Sequence, residues 1–446
     1  MKVRQQDAYI FLFFSGIWTI CYMLNNVGTY QVIFYKILFW LLFTINFTLI
    51  LHSVKEKRPI ELMFFGYITL YMLPYIYVIN RDVYLAIYQK EKDWQLLTKT
   101  LLIYTFFILP FHLFRSKESP KIISIKTSKN DIAFSVLLVV FFLLWHFGIR
   151  GQNILISGGY GRGIEKKSPI YEYLLIVIFL LYKYSGETKK KMNIFYCCCI
   201  LYAGKNLLFG GRIETLMLLI MIYFLVFQRK IPFRMLIIFA SFFYYIMQVF
   251  SNIRGNIKAV ITGNWYAVFN IFHSSSTLDY LGTNEGDVFW AAERMLYLIR
   301  DGYLSLMGRI SAGISFFLSA FIPRSFLGGY DNLAVFRIDI YGTGGGGLAP
   351  LFFYAMFSIV GVFIIGYIIA SFLNGITKRP SFKNIYILFM IVSLPRWFAY
   401  YPIQLIKLDI IAVFVTWLFS LFSDFVCKYG KCHAALEKAG KNEIID

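Results

Sequence analysis

Four arginines stand at the ends of long apolar runs or within one: Arg212 opens a run in GGRIE, Arg254 ends one in SNIRGN, Arg324 sits in FIPRS and Arg396 lies inside a run in LPRWF. A guanidinium stays charged and offers a planar fork of donors, so several at one depth suit a phosphate or pyrophosphate. Charge within or beside a membrane helix is costly enough to be functional by default, although snorkelling to headgroups or pairing with loop carboxylates is the alternative for each. Gly210 and Gly211 let the backbone turn tightly before Arg212 and aim helix N-terminal amides towards an anion. Glu214, in the same first turn, equally suits the positive end of an ordinary helix.

Carboxylates and one histidine supply the candidate proton chemistry. Asp82, Asp279, Glu285, Asp287, Glu293, Asp301, Asp331 and Asp339 fall on the same side of the apolar runs as the arginines, and Glu285-Gly-Asp287 puts two carboxylates close together. That spacing is too weak to define a metal site, and none is expected. His273 either accepts a proton from a hydroxyl near neutral pH or packs between Phe272 and Ser274. The GTGGGG run at 342–347 lacks the Gly-Lys-Ser/Thr and the preceding strand of a P-loop, so it reads as a flexible lead into a helix. Cysteines, including the consecutive Cys197, Cys198 and Cys199, have neither zinc nor disulfide-framework spacing and read as small apolar filler.

The elements that must position these residues are apolar. Hydrophobic residues make up 59% of the 446, charged residues 15%, and the mean hydropathy is +0.63. A water-soluble domain of that size carries more charge. Apolar runs recur near 8–24, 32–51, 59–80, 96–114, 131–149, 170–184, 193–209, 213–228, 235–253, 347–373, 384–403 and 408–426. Each is long enough to cross about 30 Å of hydrocarbon as a helix, so the expected fold is an all-α polytopic membrane protein of about twelve spans. The formal charge of +20 comes from Lys and Arg spread between the runs, which points to membrane orientation and not to nucleic acid. The set of alternate loops that includes the N-terminus and the tail is the more basic, which places both termini in the cytoplasm. The first run lacks a small-residue cleavage site and reads as a retained helix.

The chain is then expected to divide into a bundle of spans one to nine at 1–253, a large outer loop at 254–346, spans ten to twelve at 347–426 and a cytoplasmic tail at 427–446. The loop is rich in aromatics, and its 293–321 stretch mixes apolar and basic residues at helical spacing, which suggests amphipathic or re-entrant helices. A smaller outer loop, 150–167, holds SGGYGRG. No internal repeat is evident, which weighs against an inverted-repeat transporter.

The long outer loop, FIPRS, and GTGGGGLAPLFFYAMFSIVGVFIIG leading into a late span together resemble the Wzy-type O-antigen and capsule repeat-unit polymerases. The matching positions are Ile322 to Ser325, Gly344 to Gly347, Ala349-Pro350, and Phe357 with Gly361, joined by the GGR of 210–212 and by Arg254. One departure is the missing carboxylate shortly after Pro350, in LFFYAMF, which leaves the base unassigned.

The resemblance implies a GT-C-like membrane glycosyltransferase of the bacterial inner membrane. It would pass a growing glycan from undecaprenyl pyrophosphate to the next lipid-linked repeat in O-antigen or capsule synthesis. No cofactor is implied, and membrane lipid and a chain-length regulator are the implied partners. Arg254 and Arg324 would hold the pyrophosphate with Arg212 and Arg396 assisting, and a loop carboxylate or His273 would activate the acceptor. Trp265, Tyr266 and Trp290, with Asn264 and Asn270, would receive the acceptor sugar. A lipid-linked glycan ligase, or a flippase for the lipid-linked unit, is the competing reading.

Overall fold

The computed structural model describes residues 5–24, 31–75, 93–113, 123–151, 166–228, 230–231, 262–265, 284–322, 326–327, 332–344, 346–377 and 379–442, together with isolated positions between 235 and 249. Among the described residues the regular structure is helical, apart from one pair of two-residue strands. In chain order the helices are α1 (Gln5–Leu24), α2 (Gln31–Glu56), α3 (Pro59–Leu70), α4 (Trp94–Ile108), α5 (Pro110–Leu113), α6 (Asp131–Gly148), α7 (Leu174–Tyr184), α8 (Lys189–Leu208) and α9 (Arg212–Ile222). They continue as α10 (Asn284–Arg300), α11 (Leu306–Leu318), α12 (Leu333–Tyr341), α13 (Ala349–Asn374), α14 (Phe382–Val392), α15 (Leu394–Trp397) and α16 (Gln404–Asn442).

Among the described residues six helices are long and apolar enough to cross a membrane: Gln6–Leu24, Val32–Glu56, Trp94–Leu113, Asp131–Gly148, Ala349–Asn374 and Gln404–Val426. Each falls on an expected span. Other expected spans are shorter or interrupted. The 384–403 run is two helices, because Pro395 cannot donate to the preceding turn and starts the one-turn α15 instead of continuing α14. The 170–184 run opens as a 3₁₀ turn, Pro169–Tyr173, before α7. The 235–253 run and the SGGYGRG loop lie largely outside the described residues.

The packing separates two units, neither contiguous in sequence: 1–122 with 272–378 and 393–407, and 123–271 with 379–392 and 408–446. In the first unit α4 is the central helix, packed against α2 and α13. Its span is 83% buried, against 17% for α1, so α4 is enclosed by protein while α1 turns Leu12, Phe13, Ile20 and Met23 outward to hydrocarbon. Close approach is bought by Gly366 of α13, where a Cβ would stand 2.4 Å from the Phe107 carbonyl oxygen of α4. Polar ties replace hydrophobic drive where helices meet. Trp18 donates to the Leu102 carbonyl at 2.8 Å, Tyr104 to Ile68 at 3.0 Å, and Asn46 to Thr69 Oγ1 at 2.7 Å. Arg58, between α2 and α3, is 5% exposed and neutralised by Glu56 at 2.6 Å and Glu61 at 2.7 Å.

Helix α13 is broken at Ser358, whose φ of +59° and ψ of −163° leave the helical region. Arg309 of α11 caps the first half, donating from Nε to Ala355 O and from Nη2 to Tyr354 O, both at 2.8 Å. Phe357 fills the bend. A Cβ at Gly313 would fall 2.4 Å from its ring, and one at Gly361 would fall 2.3 Å from its Cβ, so the Phe357–Gly361 pair noted in the sequence is a packing device of this break.

The second unit joins α6 to α7, α8 to α9, and α9 to α14. Asn130 caps α6 at Ala133 N and also donates to Ser423 Oγ of α16 at 2.7 Å. The strands Ile149–Arg150 and Lys166–Lys167 pair antiparallel and close the base of the smaller loop. Lys205 of α8 donates to the Trp145 and His146 carbonyls at the end of α6, satisfying acceptors that a helix terminus leaves open.

Candidate functional site

In the first unit, residues that stand far apart in the sequence meet around the glycine-rich run. Arg337 of α12 is fully buried, and its guanidinium is wrapped by backbone oxygens. Nε donates to Thr343 Oγ1 at 3.0 Å, Nη1 to Ala291 O at 3.1 Å, and Nη2 to Gly344 O at 2.8 Å and Gly346 O at 2.5 Å. Thr343, Gly344 and Gly346 of the run therefore form a clasp on this guanidinium at the entry to α13.

Its glycines are required by approach to α10. A Cβ at Gly344 would lie 2.1 Å from Asp287 Oδ2, and one at Gly346 would lie 2.6 Å from Val288 Cγ2. Burial raises the Asp287 carboxyl above its ordinary range, partly offset by the Arg337 charge and the Gly344 N–H. Burial likewise pushes Arg337 down to about 10, with Asp287 pulling the other way, so the guanidinium stays charged at neutral pH.

The clasp ties α10 to the segment carrying Arg396. Gly347 N donates to Ala399 O at 2.9 Å and Ala349 N to Phe398 O at 2.8 Å. Arg396, half-buried in α15, lies 5.9 Å from the Tyr400 ring centroid. The Tyr67 and Tyr71 hydroxyls pair at 3.0 Å, and both rings pack edge-on to Phe398 or nearly so, at 6.3 and 6.0 Å. Within electrostatic reach of these two tyrosines, along with Tyr400, is Glu285, in the first turn of α10. Glu285 is 7% exposed, and its buried Oε2 receives no hydrogen bond. A buried carboxylate oxygen without a donor is expensive, which makes Glu285 a candidate for chemistry. An arginine, a buried carboxylate and three tyrosines can together hold an anionic group, pack a sugar ring and take up a proton.

Arg254, Arg324, His273, Tyr266 and Asn270 lie outside the described residues. Arg212 and Trp265 belong to the second unit, where Trp265 is 52% exposed. The tight turn expected before Arg212 is present: Gly210 has φ +75°, and Gly211 N donates to Asn206 O at 2.7 Å. A Cβ at Gly211 would crowd Glu214 Oε2 at 2.9 Å and Asn206 Oδ1 at 3.1 Å, so the glycine admits both buried polar groups beside Arg212. Trp290, expected as an acceptor platform, is 1% exposed, with the Arg294 guanidinium 4.0 Å above its ring. Among the described residues no cluster of His, Cys, Asp or Glu could hold a metal ion.

Sequence reasoning named Glu285, Arg396 and GTGGGG separately but not their meeting, and it missed Tyr67, Tyr71, Arg294 and Arg337. One signal was present for Arg294: with Trp290 and Tyr297 it forms an i, i+4, i+7 stripe on one helix face.

Apolar spans enclosing a charged and aromatic site define a multi-pass helical membrane protein. The chain belongs to the O-antigen polysaccharide polymerase Wzy family, whose sequence model matches residues 8–277. That match takes in Arg212, Arg254 and His273, and it stops before Glu285, FIPRS, the clasp and Arg396. The family's general activity is the polymerisation of O-antigen repeat units. No curated protein and no solved structure matches the chain.

Proposed function

We propose that this chain polymerises oligosaccharide repeat units carried on undecaprenyl pyrophosphate, for O-antigen or capsule, at the outer face of a bacterial inner membrane. The full architecture is a GT-C-like glycosyltransferase of about twelve spans, with both termini cytoplasmic and the large loop between spans nine and ten outside. The observation that supports this best is the meeting, in one unit, of Arg396, the Tyr67–Tyr71 pair, Tyr400 and buried Glu285.

In the reaction, a hydroxyl oxygen of the acceptor repeat attacks the anomeric carbon of the donor glycan. The bond from that carbon to the pyrophosphate oxygen breaks, and its electron pair leaves with the lipid pyrophosphate. Arg396 steadies that charge, with Arg254 and Arg324 as the further candidates the sequence offers for that role. The hydroxyl proton passes to the Glu285 carboxylate, which fills the role sequence reasoning left between a loop carboxylate and His273. Tyr67, Tyr71 and Tyr400 serve the acceptor as ring surfaces. A chain-length regulator is the expected protein partner.

Purified protein in detergent, given lipid-linked repeats, tests the reading. Polymer still attached to its lipid carrier is the expected product, and forming it without a sealed membrane excludes simple transport. Failure to extend the repeat, or transfer of glycan to a different final carrier, would overturn it.

A further inference from the structure

Helix α10 carries a second buried arginine whose surroundings are the opposite of those of Arg337. Arg294 is 2% exposed, and its Cζ lies 4.0 Å from the Trp290 ring centroid, 4.3 Å from Tyr297 and 5.6 Å from Tyr341. Three aromatic rings thus stand around the guanidinium. Nε and Nη1 are both closed off from solvent, and neither has an acceptor.

Two carboxylates of the same unit have their donors elsewhere, and no hydrogen bond joins the buried Glu293 Oε1 to Arg294 Nε or Nη1. Asp301 receives Arg300 Nε and the Tyr341 hydroxyl, each at 2.9 Å, and Asp287 receives the Gly344 N–H. In the same unit Arg337 makes four hydrogen bonds from its three nitrogens. The fold is thus able to satisfy a buried guanidinium and leaves this one bare. Cation–π contact compensates the faces of the ion but not its donors, which cost most when buried without a partner.

We infer that Arg294 and its aromatic box form a binding site for an oxyanion of the glycan substrate, either a phosphoryl group of the lipid carrier or the carboxylate of an acidic sugar. This rests on the polymerase reading for its substrate. Both sources present oxygens that match guanidinium N–H edges, and the aromatic walls strip water from the contact. Tyr341 is the outermost wall: it is half-buried where Trp290 and Tyr297 are 1% and 3% exposed, and it neighbours Tyr303, which is 51% exposed. The ligand reaches Arg294 from that side, where Asp301 now holds the Tyr341 hydroxyl.

The test uses the purified full-length protein, with inorganic pyrophosphate and glucuronate as separate probes in a thermal-shift titration. One of them is expected to raise the melting temperature of the wild type. The effect should be lost in Arg294→Met and need at least tenfold more ligand in Arg294→Lys, which keeps the charge but not the planar fork. A response to pyrophosphate identifies the carrier as the source; a response to glucuronate identifies an acidic sugar. Without ligand, Arg294→Met should melt no lower than wild type, since it removes a bare buried charge; should that variant not fold, Arg294→Lys alone carries the comparison.

The inference is overturned if neither probe acts, if the shift is the same in Arg294→Lys as in wild type, or if Arg294→Met makes normal polymer. Lipid-linked repeats assayed in parallel separate this result from the polymerase reading. Polymer formation with an Arg294-independent shift sinks only the anion site, whereas an Arg294-dependent shift without polymer sinks only the reaction.

Discussion

Removing the Arg337 guanidinium should loosen the clasp and disable the site together. Its four hydrogen bonds hold Thr343, Gly344, Gly346 and Ala291, joining α12, the glycine run and α10, and the side chain is 0% exposed, so solvent does not replace them. Hydrogen bonds to a charged group contribute about 1.5–3 kcal/mol each, and a buried carbonyl left bare costs about 1–3 kcal/mol. Against that sum stands the several kcal/mol recovered when a charge no longer has to be desolvated. The net loss for Arg337→Met is then about 3–5 kcal/mol, the range seen when one member of a buried charged network is removed. For a unit of this size that lowers the melting temperature by roughly 10 °C. Arg337→Lys, with three donors at one point and no planar fork, should fall between. Thermal unfolding in detergent measures the shift, and polymer assay of the same samples measures activity, which should drop because Glu285 and the Arg396 segment lose their common anchor. An Arg337→Met protein that melts like wild type and makes full-length polymer would refute the assignment of Arg337 as the clasp.

Three further outcomes follow from the same geometry. Glu285→Gln keeps the shape and removes the carboxylate, so turnover should fall about 10²–10⁴-fold while the melting temperature holds or rises; retained turnover would remove Glu285 from the reaction. Gly344→Ala forces a Cβ into the Asp287 carboxylate and should cost about 1–3 kcal/mol, read as a lower melting temperature, with an unchanged value arguing against the tight contact. Asp287 titrates above its ordinary value of 3.8 in the folded protein because burial outweighs Arg337 and the Gly344 amide, so between 3.8 and its folded value the native state binds more protons than the unfolded one. Its contribution to stability therefore declines as pH rises through that window and is level above it. Asp287→Asn should flatten that part of a melting-temperature profile against pH, and an identical profile in the variant would show that Asp287 does not titrate this way.

Membrane character and several helices were legible in the sequence because a bilayer imposes a length and a polarity on a contiguous stretch, and composition alone reports both. That is why α1, α2, α6, α13 and the membrane part of α16 coincide with apolar runs. The break before Arg396 had a visible cause in Pro395, yet hydropathy averaged over the run conceals it. Arg337 and GTGGGG were both in plain view, but nothing local says that carbonyls of the run will turn towards that guanidinium, or that Ala291, 46 positions earlier, supplies another acceptor. Trp290 illustrates a related limit: its spacing to Arg294 is local to α10, but its type suits a sugar platform and only the tertiary packing buries it to 1% exposure. Which donor meets which acceptor is decided by the packing of helices distant along the chain, so the sequence by itself determined the solvent and the helices, and the tertiary structure decided which polar groups are satisfied and which are left open for chemistry.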